Sequence, residues 1–358
     1  MKGKTVASLV GFLLAAFCLG VLGPVPAPAA EPIKLSYANF PPAPTFPCVQ
    51  MERWKAEVEK RTNGKVLVNT YPGGTLLDAK DMMDGVIAGQ ANIGCLCMAY
   101  QPGRFIVTNS TSLPLGIPNA LVGSRVLWDL YNKYKPEEFA QVKVLTMFTT
   151  APSNIMSKVP VRNLEDLKGL DIRASGGAAV IIKAWGGNDV GMPMSATPEA
   201  LQKGVVKGLF SSLEVMKDFK FAELCKYVTL TDTVVYPFAV VMNMNTWNSL
   251  PDEVKKVMDD LAFEQCEWTG NYMDNHVQEA NRWSQETQEV EFIALSPEEK
   301  ARWDEKLEFI TDKWIEEAKA KGLPGQAIVD DIKALIKKHS RQGWSLPAFG
   351  GQASLIGL

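Results

Sequence analysis

Residues 163–212 read NLEDLKGLDIRASGGAAVIIKAWGGNDVGMPMSATPEALQKGVVKGLFSS, and the fold is decided there. An acidic turn, Glu165 and Asp166, leads through LKGL into a short strand, Asp171-Ile172-Arg173-Ala174. The strand runs into Ser175-Gly176-Gly177 and then an apolar helix over 178–185. Arg173 is therefore expected at a strand end, just before a glycine turn and a helix N-terminus. Open α/β sheets bind ligands at the carboxyl ends of strands, and a helix N-terminus favours anions. A guanidinium adds a planar fork that matches a carboxylate. Position alone leaves Arg173 divided between that role and an ordinary surface arginine.

Upstream, the pattern alternates strand and helix. IKLSYA (33–38) reads as a strand ending at Asn39-Phe40, followed by the proline-rich turn PPAPTFP. A helix is expected from about 48 to 61, with Trp54 and Val58 on one face and Gly64 in its C-cap region. Residues 65–71 alternate as a second strand, 79–88 read as a helix and 91–98 as a third strand. The order β-α-β-α-β predicts a largely parallel sheet with helices on its faces. Further elements are a helix at 122–135 and a strand at 142–149. Val254, Val257, Leu261, Trp268, Tyr272, Val277, Ala280 and Trp283 then recur at helical spacing. A helix over about 251–289, with Ser249 as its N-cap, is roughly 57 Å long at ~1.5 Å per residue. That exceeds one small domain. Amphipathic helices follow at 297–321 and 325–339.

The same stretches carry a family resemblance. LKGLDIR, a glycine-rich helix and PMSATPEALQKGVVKG resemble the ligand-clamping segment of TRAP-transporter solute-binding proteins of the DctP type. TNGKVLVNTYPGGTLLDAKDMMDGVIAGQANIG and CKYVTLTDTVVY resemble two further segments of that family, with Asn92 where an aspartate is common. The resemblance spans most of residues 33–300 in order and spacing. It implies an α/β, two-lobed periplasmic-binding-protein fold: two mixed β-sheet domains, a double hinge and a long helix bracing both lobes. Domain I is expected over 31–150 plus about 238–275, and domain II over 151–237 plus about 276–320. A C-terminal helix and apolar tail fill 321–358.

The resemblance also implies that Arg173 holds a ligand carboxylate. Several positions depart from the family pattern. Ser153 lies near the place of a second arginine, Ser211 replaces a carboxylate-contacting asparagine, and Phe210 replaces an acid. Met194 stands where pocket aromatics are frequent, and Cys97-Met98 occupy a strand end where polar residues are common. With Phe40 and Tyr100, these changes leave one carboxylate anchor in soft, apolar surroundings. Asn39 resembles a position that touches ligand from the first domain. For Phe210, Met194 and Tyr100, core and pocket roles are equally open. The ligand class that fits is an aromatic or otherwise apolar monocarboxylate, such as an aromatic 2-oxo acid or an aromatic amino-acid-like acid. A sugar acid needs more hydrogen-bond partners, because buried unmatched hydroxyls are costly.

Composition bounds the class of protein without deciding between capture and chemistry. With 46% hydrophobic and 22% charged residues, the 358-residue chain is an ordinary globular protein large enough for two cores. The formal charge of −3 points to neither nucleic acid nor an anionic membrane. Lys2 and Lys4, the apolar run 6–22 and Ala27-Pro28-Ala29-Ala30 read as a secretory signal over residues 1–30, implying a periplasmic location. Five cysteines follow it: Cys48, Cys95, Cys97, Cys225 and Cys266. They read mainly as small apolar residues, with one disulfide left open. The two histidines, His276 and His339, read as packing or surface residues. There is no zinc-ligand spacing, GxSxG elbow, GxGxxG or P-loop. The expectation is a non-enzymatic monomer, without cofactor or metal, that delivers a small organic acid to a permease of small and large integral membrane subunits. An ABC-type or sensory receptor and a periplasmic enzyme on a similar scaffold are the alternatives.

Overall fold

The alternation in Ile33–Asn39 becomes strand β1, whose inward side chains Leu35 and Tyr37 are buried. It sits between β2 (Val66–Tyr71) and β3 (Ile93–Cys97), parallel to both. The computed structural model describes residues 31–341; the expected signal segment and the apolar tail lie outside them. Two further strands, β4 (Val142–Thr149) and β10 (Pro237–Asn243), complete a five-stranded sheet ordered β2-β1-β3-β10-β4. Only β10 runs antiparallel to its neighbours. Its seven residues are all buried, as expected of a strand covered on both faces.

The second sheet contains β5 (Asn154–Ser157), β6 (Asp171–Ala174), β7 (Asn188–Gly191), β8 (Gly208–Ser211), β9 (Tyr227–Leu230) and β11 (Glu291–Ala294). Its order is β11-β9-β5-β8-β6-β7, with β5 antiparallel to both neighbours. Both sheets are mixed, and each forms the centre of one lobe. The chain passes between lobes twice, and the two passages lie side by side. The Thr150 N–H donates to the Tyr236 carbonyl (3.0 Å), and the Ser153 N–H to that of Val234 (2.8 Å).

The long helix runs from Asp252 to Gln288, 37 residues, or about 56 Å at ~1.5 Å per residue. Ser249 is not its N-cap. It closes a preceding short helix, Met244–Ser249, and Pro251 takes the cap position. Against the first lobe, Gln265 Nε2 donates to the Gln50 carbonyl (2.8 Å), and the Ala262 carbonyl accepts from Thr146 Oγ1 (2.8 Å). The Asp274 carboxylate accepts the Ala120 and Leu121 N–H groups, capping the helix Ala120–Tyr134. Near its other end, His276 reaches the second lobe at Asp218 (2.6 Å). The expected helix over 297–321 is two helices, Pro297–Glu305 and Glu308–Ala320, because the chain turns between them to bury Leu307. Asn92 links β1 to the Met244–Ser249 helix, accepting from Ser36 and donating to Thr246 Oγ1 (3.0 Å).

Candidate functional site

Strands of both lobes end at one cleft. Cys97 is the last residue of β3, Phe40 follows β1, Arg173 lies near the end of β6, and Ser211 ends β8. Because β10 is antiparallel, its start faces the end of β3, and Phe238 pairs with Cys97. The cleft encloses about 40 Å³ in this arrangement. Phe40, Cys97, Tyr100, Arg173, Met194 and Ser211, all expected from sequence, line it.

Arg173 is fully buried. Its Nε and Nη2 donate to the Met192 carbonyl at 3.0 and 2.8 Å, and Nη2 lies 3.5 Å from Tyr100 Oη. The guanidinium carbon is 6.0 Å from the Tyr100 ring centre and 5.9 Å from that of Tyr236, within cation–π range. Nη1 is buried with no partner. No carboxylate of the described residues pairs with this guanidinium. A buried, unpaired cation costs several kcal/mol by general estimates, so the arrangement is one that an anion completes.

The remaining walls are largely apolar and aromatic. Phe40 packs edge-on to Tyr100 (5.5 Å) and stacks on Phe238 (6.3 Å), while Phe46 packs edge-on to Phe238 (5.5 Å). Cys97 faces the cleft as a neutral thiol, since burial pushes it up to about 12. The five described cysteines are buried and unbridged.

Four expected residues are placed elsewhere. Phe210 alternates with Ser211 on β8 and packs edge-on to Trp185 in the core (5.4 Å). Met98 turns away, its sulfur accepting from Thr108 Oγ1 (3.1 Å). Asn39 shapes the turn after β1: its Nδ2 donates to the Pro47 carbonyl (2.8 Å) and its Oδ1 accepts the Phe40 N–H (3.1 Å). Ser153 is buried at the hinge, outside the cleft lining.

Sequence reasoning missed Thr45, Phe46, Glu214, Asp218, Tyr236 and Phe238, all of which line the cleft. Thr45 and Phe46 are the N-cap and first residue of the helix Phe46–Arg61, inside the proline-rich stretch, whose flanking prolines were the available signal. Glu214 and Asp218 follow β8 in a single helical turn, Val215–Asp218, with no periodicity to mark them. Hydrogen bonds join the lobes across the cleft: besides Arg173 Nη2 to Tyr100 Oη, the Met194 N–H donates to Tyr100 Oη (3.0 Å) and the Phe46 N–H to Asp218 Oδ2 (3.2 Å). Beside the cleft the backbones approach closely. A Cβ on Gly177 would meet the Ser112 carbonyl at 2.9 Å, and one on Gly176 (φ +55°) would meet that of Ala99 at 2.9 Å.

Among the described residues, no group of three or more His, Cys, Asp or Glu side chains could hold a metal. No described helix is long and apolar enough to cross a membrane. His276 and His339 pair with Asp218 and Asp129 at 2.6 and 2.9 Å.

Residues 41–317 match the DctP family model, described as bacterial extracellular solute-binding protein, family 7. The C4-dicarboxylate-binding periplasmic protein DctP of Rhodobacter capsulatus is 24% identical, over 86% of this chain and 94% of its own. A TRAP periplasmic solute-binding protein from Desulfovibrio salexigens is 57% identical, with a TM-score of 0.78 over 88% of this chain and 99% of its own. That structure is an open complex with the C-terminus of a symmetry mate in its ligand-binding site. A marine-metagenome TRAP solute-binding protein specific for aromatic acids, in complex with metahydroxyphenylacetate, is 28% identical. Its TM-score is 0.82 over 86% of this chain and 99% of its own. The chain belongs to bacterial extracellular solute-binding protein family 7, the DctP family of TRAP-transporter solute-binding proteins, whose members are receptors and not enzymes.

Proposed function

We propose that this chain captures an aromatic or otherwise apolar monocarboxylate in the periplasm and hands it to a TRAP permease of small and large membrane subunits. The observation that carries this reading is the buried Nη1 of Arg173, unpartnered at a cleft walled by Phe40, Phe46 and Phe238. A ligand carboxylate supplies the missing acceptor, and closure of the aromatic walls removes it from water. Micromolar affinity corresponds to about −8 kcal/mol. A charge-assisted pair contributes roughly 1.5–3 kcal/mol, so apolar burial at ~25 cal/mol per Å² supplies much of the rest. Aromatic 2-oxo acids and aromatic amino-acid-like acids fit these terms.

Two relatives support the reading. The metahydroxyphenylacetate complex belongs to a protein specific for aromatic acids. The Desulfovibrio salexigens protein accepts a polypeptide C-terminus, which ends in a carboxylate, in its ligand-binding site. The test is native mass spectrometry of the purified protein, followed by identification of what denaturation releases. An aromatic monocarboxylic acid released unchanged is the expected result. A dicarboxylate or a sugar acid overturns the apolar-ligand reading.

A further inference from the structure

The cleft lining contains more polar side chains than Arg173, and five of them are already engaged. Thr45 Oγ1 donates to the Pro42 carbonyl (2.8 Å), and Thr150 Oγ1 accepts the Tyr236 N–H (2.9 Å). Tyr236 Oη donates to the Phe210 carbonyl (3.0 Å), and Tyr100 Oη accepts the Met194 N–H (3.0 Å). Asp218 uses both oxygens, Oδ1 on His276 Nε2 (2.6 Å) and Oδ2 on the Phe46 N–H (3.2 Å). Among the lining residues, the buried side-chain atoms left without a partner are two: Arg173 Nη1 and Glu214 Oε2. Buried polar groups are almost always satisfied in folded proteins. Two exceptions in one cavity, one a donor and one on a carboxyl, mark two recognition points.

Glu214 is 1% exposed and held firmly by its backbone, whose carbonyl accepts the Lys217 and Asp218 N–H groups (both 3.0 Å). We propose that Glu214 is the second recognition point of the cleft, and that the ligand is an aromatic carboxylic acid bearing a hydroxyl group on its ring or side chain. This rests on Arg173 holding the ligand carboxylate. Burial, opposed by the neighbouring Ser212 hydroxyl and reinforced by the Asp218 carboxylate, pushes the Glu214 carboxyl up to about 8. It is therefore mostly protonated at neutral pH and does not repel the acid bound at Arg173. A hydroxyl both donates and accepts, so it completes a neutral carboxyl in either orientation.

The test is calorimetric titration of the wild type, Glu214→Leu and Arg173→Ala with phenylacetate and its 2-, 3- and 4-hydroxy isomers. In the wild type, at least one hydroxy isomer is expected to bind about ten-fold tighter than phenylacetate. In Glu214→Leu that advantage, taken as the ratio of affinities within the variant, falls to within about two-fold. A wild type indifferent to the hydroxyl, or an advantage that survives Glu214→Leu, overturns the assignment. The wild-type ranking decides the first point even if the variant fails to fold. Failure of the Arg173 reading has a different signature: none of the four acids binds the wild type, or all bind Arg173→Ala unchanged. Either of those outcomes removes both assignments together.

Discussion

From the first lobe the cleft receives Phe40, Phe46, Cys97 and Phe238; from the second it receives Arg173, Ser211, Glu214 and Asp218. The first wall is mostly aromatic; the second carries the charged groups and one aromatic ring, Phe219. The division suggests an order of events. A charged group acts on an arriving acid before the lobes meet, because electrostatic attraction reaches beyond contact. An aromatic wall contributes only when it touches the ligand and water has left. The second lobe is thus suited to capture and the first to closure, and substitutions on the two walls should fail in different ways.

The largest effect is expected at the charged wall. Arg173→Ala should weaken binding of an aromatic acid more than about 100-fold, or ~3 kcal/mol. Its fold should persist, since the substitution removes a buried cation that has no ionic partner. Calorimetry with circular dichroism as the folding control checks both points, and retained affinity in a folded variant defeats the assignment.

Next comes the close approach between the lobes. Gly177 opens the helix Gly177–Ala184, where alanine is locally the better residue by roughly 0.5–1 kcal/mol. Yet its Cβ would meet the Ser112 carbonyl at 2.9 Å. Gly177→Ala should therefore leave the second lobe folded but disfavour closure, lowering affinity about ten-fold by depleting the competent state. Small-angle scattering with saturating ligand should show incomplete compaction. Unchanged affinity and full compaction would mean that the helix shifts to accommodate the methyl.

At the aromatic wall the loss is smaller and shared with stability. Phe46→Leu trims a side chain packed edge-on to Phe148 and Phe238. It should cost about 1 kcal/mol in both folding and binding, roughly five-fold in Kd. Denaturant titration and calorimetry read the two losses separately. A loss confined to affinity would show that Phe46 contributes through the ligand alone.

A last effect, read in stability and not in affinity, is a pH dependence centred on the charged wall. The Glu214 carboxyl rises from 4.5 to about 8 on folding. Between those values the folded state binds more protons than the unfolded one. The stability contributed is full below about pH 4.5 and declines as pH rises towards 8. His276 acts in the same direction. Burial alone would lower it, but the hydrogen bond and charge of Asp218 outweigh burial and raise it above 6.5. Its contribution is present below 6.5 and lost above its folded value. The Tm of the wild type should fall from pH 5 to pH 8, and fall less in Glu214→Leu. Equal slopes in the two proteins would exclude Glu214 from the effect.

Much of this architecture was legible along the chain. Period-2 alternation marked 33–38 and 65–71, and period-3.6 spacing marked the long helix to within a residue of its observed ends. The strand–glycine–helix passage placed Arg173 where β6 ends. Legibility stopped at side-chain phase. Phe210 and Ser211 are adjacent on β8 and point to opposite faces, and the short strand GLFS carries no polar alternation to choose between them. Helix starts were opaque for a related reason: Thr45 and Phe46 begin one helix, and Glu214 and Asp218 bound a single helical turn, where no periodicity has yet built up.

The sequence by itself determined most of the order of elements, the length of the long helix and the strand-end arginine, each from residues near one another in the chain through hydrophobic period and turn chemistry. The double passage between lobes and the bracing role of the helix came from the family resemblance. Only the tertiary structure decided that Phe46 meets Asp218, that Phe238 stands beside Cys97, and that Arg173 and Glu214 are the two buried groups of the cleft left unsatisfied. Whether a polar atom has a partner depends on everything folded around it, and here the surroundings come from two sheets brought together by separate passages of the chain.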